Sequence, residues 1–267
     1  MLDFLQVKAE LPDVSPDILF RVFGFPISNS GLEIFFILLL TIAFCYFVVR
    51  KFTLVPRSKF QVMVEGLYES MVKFIHQLTG SEQKARDILP IISALFTFVG
   101  VANLINLIPG LNSITWNGTP IFRTPTSDFN TTFSMAVAMI IFIQIMAMRK
   151  LGAFAYVGQF IRVKKLYQGF RQGIGAGFTA LIEFFIGFLD IISELAKMFS
   201  LSLRLFGNIY AGEVLLTMLF GTLAIALPSL WMSLSIFFGV IQAIVFGALA
   251  AAYYGTSVPD DMELVEN

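Results

Sequence analysis

The chain contains 267 residues, of which 57% are hydrophobic and only 13% are charged. Soluble domains are roughly 45–50% apolar and about 25% charged, so this composition excludes a water-soluble globular protein and indicates a membrane protein. Eighteen basic and eighteen acidic residues give a formal net charge of zero, which leaves no electrostatic basis for nucleic acid binding. The single cysteine, Cys45, and the single histidine, His76, exclude a disulfide framework, a Cys or His metal site and a bis-histidine haem.

Five apolar segments of the chain are long enough to cross a bilayer, which requires about 20 residues. They span about 31–49, 87–108, 130–148, 176–227 and 229–254. Pro90 suits the first turn of the second segment. The fourth segment corresponds to roughly 78 Å of helix, more than twice the hydrocarbon thickness of about 30 Å, so a single upright crossing is excluded.

A sixth segment, residues 57–79, has a different pattern. Apolar side chains recur at steps of three and four with charged residues between them, which predicts an amphipathic helix lying on the membrane surface. The alternative interpretation is a soluble cytoplasmic hairpin. Together the segments predict an all-α membrane protein with about five membrane-embedded helices and one interfacial amphipathic helix. A single membrane domain, 31–254, lies between an N-terminal tail, 1–30, and an acidic tail, 255–267.

The distribution of Lys and Arg predicts the orientation of these helices. Residues 50–87 carry seven basic residues and 149–173 carry six, whereas 1–30 carries two and 109–129 carries one. Connections rich in Lys and Arg stay in the cytoplasm. We therefore expect the amino terminus outside and the carboxyl terminus inside, provided that the fourth segment crosses once; two crossings would reverse the last helix. Because the N-terminal tail lacks a basic leader, we expect no cleavable signal peptide.

Ionisable and amide side chains interrupt the long fourth segment where the bilayer interior is expected. They are Glu183, Asp190, Glu194, Lys197, Arg204, Asn208 and Glu213. An ionised group there costs at least about 2.5–3.5 kcal/mol, so such residues usually face a protein partner or a water-filled path. Those from Glu183 to Asn208 fall within a sector of roughly 80° of an ideal helix, whereas Glu213 lies off this stripe. A line of carboxylates is what a proton path requires, and the alternative is a set of structural ion pairs.

The two basic residues of this segment lead to different interpretations. Glu194 and Lys197, three residues apart, are spaced to form a structural ion pair. Arg204 has no acid three or four residues away. Its counter-charge must therefore come from another helix or another chain, which favours a functional role.

The last segment contains one strongly polar group near its middle, Gln242, among small residues such as Gly239 and Gly247. Small residues allow close helix packing in lipid, and a buried amide seeks a hydrogen-bond partner. An antiparallel hairpin about Pro228 would place Gln242 near residue 214, so spacing alone leaves a contact with Arg204 open.

Three runs of sequence resemble subunit a of F-type ATP synthases, the stator protein beside the rotating c-ring. SLSLRLFGNIYAGE, at 200–213, resembles the family signature, VIQAIVFGAL, at 240–249, looks like its final helix, and LPIISALFTFVGVANLINLIPG, at 89–110, resembles the helix after the surface segment. The resemblance implies that the last two helices form a long, strongly tilted hairpin around the c-ring. It also implies a proton-channel subunit, not an enzyme on its own, in a bacterial-type plasma membrane. The implied partners are the c-ring, a peripheral stalk of subunit b type and the lipid bilayer, with no cofactor and no directly bound nucleotide.

The resemblance implies roles for individual residues as well. Arg204 opposes the c-ring carboxylate as the essential charge, and Asn208 and Gln242 lie close to it. Glu213 belongs to the outer half-channel and Asp190 to the inner one.

Three further residues complete the candidate half-channels. Glu183 and Glu194 belong to the acidic stripe. Ser235 stands seven residues before Gln242, where many family members place a titratable partner for the acid of the preceding helix. A hydroxyl cannot change charge near neutral pH, so proton uptake is expected to depend on Glu213 alone. The ion itself, H⁺ or Na⁺, stays open because its carrier carboxylate belongs to another chain.

Other classes of protein explain the sequence less well. A self-contained ion channel or secondary transporter accounts for charge in the membrane, but it requires polar residues from several helices, and the first and third spans offer little beyond Gln144. A membrane-bound enzyme is disfavoured because the chain has no GxxxxGKS, GxxxxGKT, HExxH or GxSxG motif. A purely structural anchor leaves Arg204 unexplained.

Overall fold

The computed structural model describes residues 15–56, 58–106, 108, 111, 114–116, 118–160, 167–168, 170–171, 174–220 and 226–258, so most of both predicted tails lies outside the described residues. The described helices are α1 (Asn29–Lys51), α2 (Lys59–Thr79), α3 (Glu82–Asn106), α4 (Phe129–Leu151), α5 (Ala153–Phe160), α6 (Ile174–Phe220) and α7 (Ala226–Ser257). Two small antiparallel hairpins flank the first helices, β1 (Ile18–Val22) with β2 (Phe25–Ser28), and β3 (Thr115–Trp116) with β4 (Thr119–Pro120). A 3₁₀ helix, Pro125–Ser127, precedes α4.

Five of these helices are long and apolar enough to cross a membrane, namely α1, α3, α4, α6 and α7. The prediction of an all-α membrane protein is therefore confirmed. Their ends carry local signals. Ser28 caps α1 by accepting a hydrogen bond from the Gly31 amide, and Asp128 caps α4 through the Asn130 amide. Basic residues occupy the last turns of both helices, where their positive charge interacts favourably with the negative end of the helix dipole.

Helix α2 corresponds to the predicted amphipathic segment. Ser58 accepts a hydrogen bond from the Gln61 amide at its start, and Gly80 ends it in the left-handed conformation with φ of 73°. Ile75 packs into the core, but Phe60, Met63 and other members of the apolar stripe stay exposed. An exposed apolar stripe is what a helix on a membrane surface requires, and its contact with lipid remains a prediction.

Helix α3 begins at Glu82, five residues before the predicted start at 87. Pro90 consequently lies in the helix interior, and its predicted place in the first turn is wrong. The added turns are polar and are held by side-chain pairs. Arg86 lies 2.6 Å from Glu82, and Asp87 lies 3.0 Å from Lys150 of α4. The predicted start was too late because it was placed at the first residues of the apolar run, and these polar turns precede that run.

The long hairpin of α6 and α7 is present, with a different turn from the predicted one. Helix α6 is continuous over 47 residues, or roughly 70 Å, and ends at Phe220 rather than at 227. Because α7 begins at Ala226, Pro228 lies in its first turn, where its missing amide proton is tolerated. The expected hairpin about Pro228 is therefore corrected to one whose connection precedes Ala226.

The core is formed mainly where α3 packs against α7 and α4 packs against α6. Glycines on α7 allow this approach. A Cβ at Gly247 would lie 3.1 Å from Cγ2 of Ile92, and one at Gly239 would lie 3.3 Å from Cβ of Asn103. The predicted close packing through small residues is confirmed at these two positions. By contrast, in the most apolar stretch of each helix, only 11% of the residues of α1 and 17% of those of α6 are buried, so both helices leave most of their apolar surface exposed.

Candidate functional site

Arg204 lies in the second half of α6 on the exposed side of the helix. Its neighbours Leu201 and Leu205 are buried, whereas Leu203 is 52% exposed. Within the described ranges the Arg204 guanidinium makes no hydrogen bond or ion pair. The charge thus lies at an exposed surface beside apolar side chains.

Asn208 lies one turn after Arg204 and connects α6 to α7. Its Nδ2 donates a hydrogen bond of 3.3 Å to Oε1 of Gln242, whose side chain is buried. The hairpin register therefore places Gln242 beside residue 208 and not beside residue 214, as a turn at Pro228 would require. Nε2 of Gln242 has no hydrogen-bond partner among the described residues.

A cavity of about 260 Å³ lies between α3, α6 and α7. Three of the predicted site residues line it, namely Asn208, Glu213 and Ser235. Trp231 closes one side by donating from Nε1 to the Gly212 carbonyl at 3.1 Å. One water occupies about 30 Å³ of liquid, so the cavity has room for several waters with carboxylate, amide and hydroxyl partners.

Asn103 of α3 also lines this cavity, although it is not among the predicted site residues. Its Oδ1 accepts a hydrogen bond of 2.9 Å from Thr126, and its buried Nδ2 has no partner among the described residues. An amide inside the apolar run of α3 is a sequence signal that could have identified it, because such groups need a hydrogen-bond partner in lipid.

The predicted pair of Glu194 and Lys197 is confirmed, with 2.6 Å between Nζ and Oε1. Oε2 of the same carboxylate accepts a hydrogen bond of 2.8 Å from Gln144 of α4. Burial and the Glu194 carboxylate raise the pKa of Tyr156, on α5, to about 12. Glu194 is therefore held by protein groups on both oxygens.

Asp190 and Glu183 precede Glu194 on α6 and are half-buried. Neither lines the cavity that contains Glu213. The predicted residues thus separate into two groups along α6, one before Arg204 and one after it.

A further acid, Glu33 of α1, is also absent from the predicted site. Its side chain is only 1% exposed, and it interacts electrostatically with Glu213. The residue lies two positions inside the predicted first span. A charged side chain within an apolar run is the sequence signal that could have identified Glu33 as a candidate site residue.

Comparisons with known proteins identify the family. Residues 32–255 match the family described as ATP synthase A chain. A relative from Moorella thermoacetica named ATP synthase subunit a is 31% identical over 245 residues, which cover 92% of this chain and 97% of the relative. A Streptococcus agalactiae protein of the same name is 32% identical over 238 residues, covering 84% and 90%.

A relative from Propionigenium modestum, named ATP synthase subunit a, sodium ion specific, is 28% identical over 246 residues, covering 90% of this chain and 77% of the relative. The resemblance found in the sequence is therefore confirmed over most of the chain. The chain belongs to the ATP synthase A chain family and is an ion-translocating, non-catalytic subunit in the membrane sector of the F-type ATP synthase.

Proposed function

We propose that the chain carries protons through two aqueous half-channels separated by Arg204, and that this transfer drives rotation of a c-ring. The observation that carries the proposal is the setting of Arg204, which is exposed beside apolar side chains and forms no ion pair within the part of the chain that the structure describes. A charge in the bilayer interior costs at least about 2.5–3.5 kcal/mol, so this surface requires a carboxylate from another chain.

The outer half-channel of this proposal is the cavity between α3, α6 and α7. Glu213 supplies its titratable group, and Asn208 and Ser235 supply polar partners for water. The hydrogen bond between Asn208 and Gln242 lies next to Arg204 along α6. Protons leave the cavity at this level and neutralise the ring carboxylate.

The inner half-channel contains Asp190 and Glu183, and Glu194 belongs to its wall, where Lys197 and Gln144 hold the carboxylate in place. Asp190 precedes Arg204 by about 20 Å along the helix axis, at 1.5 Å per residue. A proton released at Arg204 therefore needs a chain of polar groups to reach the inner surface. The half-buried positions of Asp190 and Glu183 on α6 are consistent with such a chain.

Arg204 controls the charge of the passing carboxylate. A nearby guanidinium favours the ionised form of a carboxylate, so the proton is released where the ring meets α6. Guanidinium groups stay protonated in proteins, so Arg204 cannot relay protons and prevents a direct leak. Each proton that moves down 100 mV yields about 2.3 kcal/mol, so several must pass for each ATP.

The proposed setting is a bacterial-type inner membrane, with the amino terminus outside and the carboxyl terminus in the cytoplasm. Five candidate spans, with α6 as a continuous helix, are consistent with termini on opposite sides. The excess of Lys and Arg in 50–87 and 149–173 favours the inner side for these connections. The proposed partners are the c-ring at the exposed face of α6 and a peripheral stalk of subunit b type.

Substitution of Arg204 tests this function. In the complete complex in vesicles, Arg204→Ala should abolish proton-driven ATP synthesis and permit an uncoupled proton leak, because the charge that separates the half-channels is lost. Arg171→Ala, at an exposed position before α6, is the matched control and should keep both activities. Coupled synthesis at the normal rate in Arg204→Ala would contradict the proposal. If ATP synthesis depended on a Na⁺ gradient rather than on a proton gradient, the coupling ion of the proposal would be Na⁺ and not H⁺.

Single cysteines test the orientation. In a Cys45→Ser background, Phe23→Cys in the first hairpin should react with a membrane-impermeant maleimide from outside, and Tyr167→Cys only from inside. Both side chains are more than half exposed. The opposite pattern would invert the proposed topology.

A further inference from the structure

Glu33 is an acid buried near the outer end of α1. Its side chain is 1% exposed, and its carboxylate accepts a hydrogen bond from the Arg123 backbone amide. Oε1 has no hydrogen-bond partner among the described residues. Leaving a buried acceptor unsatisfied is unfavourable, and more so when it is charged, so this oxygen requires a water molecule or a functional explanation.

Helix α1 packs against α3 and against the 3₁₀ helix before α4, and these neighbours carry the buried polar residues Asn103, Thr124 and Thr126. Together with Glu33 we name them the outer polar cluster. Nδ2 of Asn103 and Oγ1 of Thr124 are also buried without a hydrogen-bond partner in the described part of the chain. Unsatisfied donors and acceptors thus come from α1, α3 and the segment before α4. A buried water needs two to four polar partners, which this cluster supplies.

The outer polar cluster meets the cavity of Glu213 at Asn103. This residue accepts from Thr126 on one side and lines the cavity on the other. Glu33 is also close enough to Glu213 for their carboxylates to interact electrostatically. The two acids therefore interact electrostatically, and Asn103 joins the cluster to the cavity that Glu213 lines.

Asp128, a nearby acid, behaves differently. It accepts hydrogen bonds from Ser30 at 3.1 Å, from Thr131 at 3.1 Å and from the Asn130 amide at 3.0 Å, as a helix N-cap does. Its acceptors are occupied by protein groups. Of the two acids, Glu33 is the one with an oxygen that no described protein group binds.

We propose that Glu33 is a second proton-accepting carboxylate of the outer half-channel, which passes protons from the outer surface to Glu213 through water in the outer polar cluster. This inference rests on the proposed function. The hydroxyl of Ser235 holds water without changing charge, so Glu33 supplies from α1 the second titratable group that α7 lacks.

The first test is aqueous access at residue 33. In a Cys45→Ser background, Glu33→Cys should react with silver ion or a small impermeant methanethiosulfonate applied from outside at least about tenfold faster than Ile37→Cys, because thiols in apolar surroundings are unreactive. Ile37, one turn deeper on α1, is equally buried but apolar. Equal rates at the two positions would overturn the proposal, whatever the activity of either variant.

The second test is the dependence of proton flux on outer pH in the complete complex. Glu33→Gln keeps the shape and the hydrogen bond to Arg123 but cannot titrate. It should lower uptake by at least about tenfold, less than the roughly hundredfold or more of a lost essential group, because Glu213 remains. Glu33→Asp should keep most of the flux. Ser235→Glu added to Glu33→Gln should restore it, because residue 235 lines the same cavity as Glu213.

Glu69→Gln, on the exposed side of α2, is the matched control and should leave the flux unchanged. A Glu33→Gln complex that keeps its c-ring and the wild-type profile against outer pH would overturn the proposal. Arg204→Ala separates this outcome from failure of the proposed function: if Arg204→Ala still abolishes coupling while Glu33→Gln has no effect, only the role of Glu33 is wrong.

Discussion

The cavity of the proposed outer half-channel and the group around Glu194, on the proposed inner side, contain similar residue types, but their polar groups are paired differently. On the inner side, Lys197 and Gln144 occupy both oxygens of Glu194. On the outer side, buried nitrogens of Asn103 and Gln242 have no hydrogen-bond partner among the described residues. Polar groups paired within the protein stabilise a fixed structure, whereas unpaired ones next to a cavity favour water. This difference favours water conduction in the outer region and a structural role for Glu194.

The largest loss of proton flux is expected on substitution of Glu213. Glu213→Gln should slow proton flux in vesicles by about a hundredfold, in the range of lost proton transfer, because the cavity loses its titratable group. Glu183→Gln should slow it less. Proton uptake by the vesicles, measured with a pH-sensitive dye, compares the two variants. A greater loss of flux in Glu183→Gln than in Glu213→Gln would overturn the placement of the outer half-channel.

A smaller effect is expected where α7 touches the cavity wall. Gly239→Val and Gly247→Val both force a side chain against α3, and each should destabilise the protein by about 1–3 kcal/mol through overpacking. Of these two glycines, Gly239 is the one that faces Asn103. At similar loss of thermal stability, Gly239→Val should therefore reduce proton flux more. Equal proton flux in the two variants would mean that Asn103 is not part of the conducting path.

The smallest effect is expected at the paired inner acid. Lys197→Met leaves Glu194 without its cation and should lower stability by about 1–2 kcal/mol, below the range for fully buried pairs because both side chains are about one-fifth exposed. Glu194→Gln combined with Lys197→Met should recover most of this loss in a double-mutant cycle of thermal stability. If Glu194→Gln alone reduced flux as strongly as Glu213→Gln, Glu194 would be a conducting residue and the contrast would fail.

The membrane helices could be predicted because a span needs only local length and apolarity. The start of α3 could not, because its first turns are polar and depend on contacts such as that between Asp87 and Lys150. The turn between α6 and α7 was misplaced for a different reason. A proline can end one helix or fit the first turn of the next, and Pro228 does the second.

The candidate site was predicted in part. Its residues on α6 and α7 follow from intramembrane polarity and from the family resemblance. Glu33 and Asn103 were missed, because neither belongs to a stripe of charged residues such as that of α6. What distinguishes them is burial without a hydrogen-bond partner in the described part of the chain, which depends on neighbouring helices.

Composition and helical periodicity are local properties, so they were enough to predict the class of protein, the apolar spans and the unusual charges of α6. The packing of the helices, in contrast, was needed to show that Gln242 meets Asn208, that Gln144 binds Glu194 and that Glu33 interacts with Glu213. Most of these contacts join helices far apart in the chain. Their register depends on how glycines and bulky side chains pack, which no local pattern specifies.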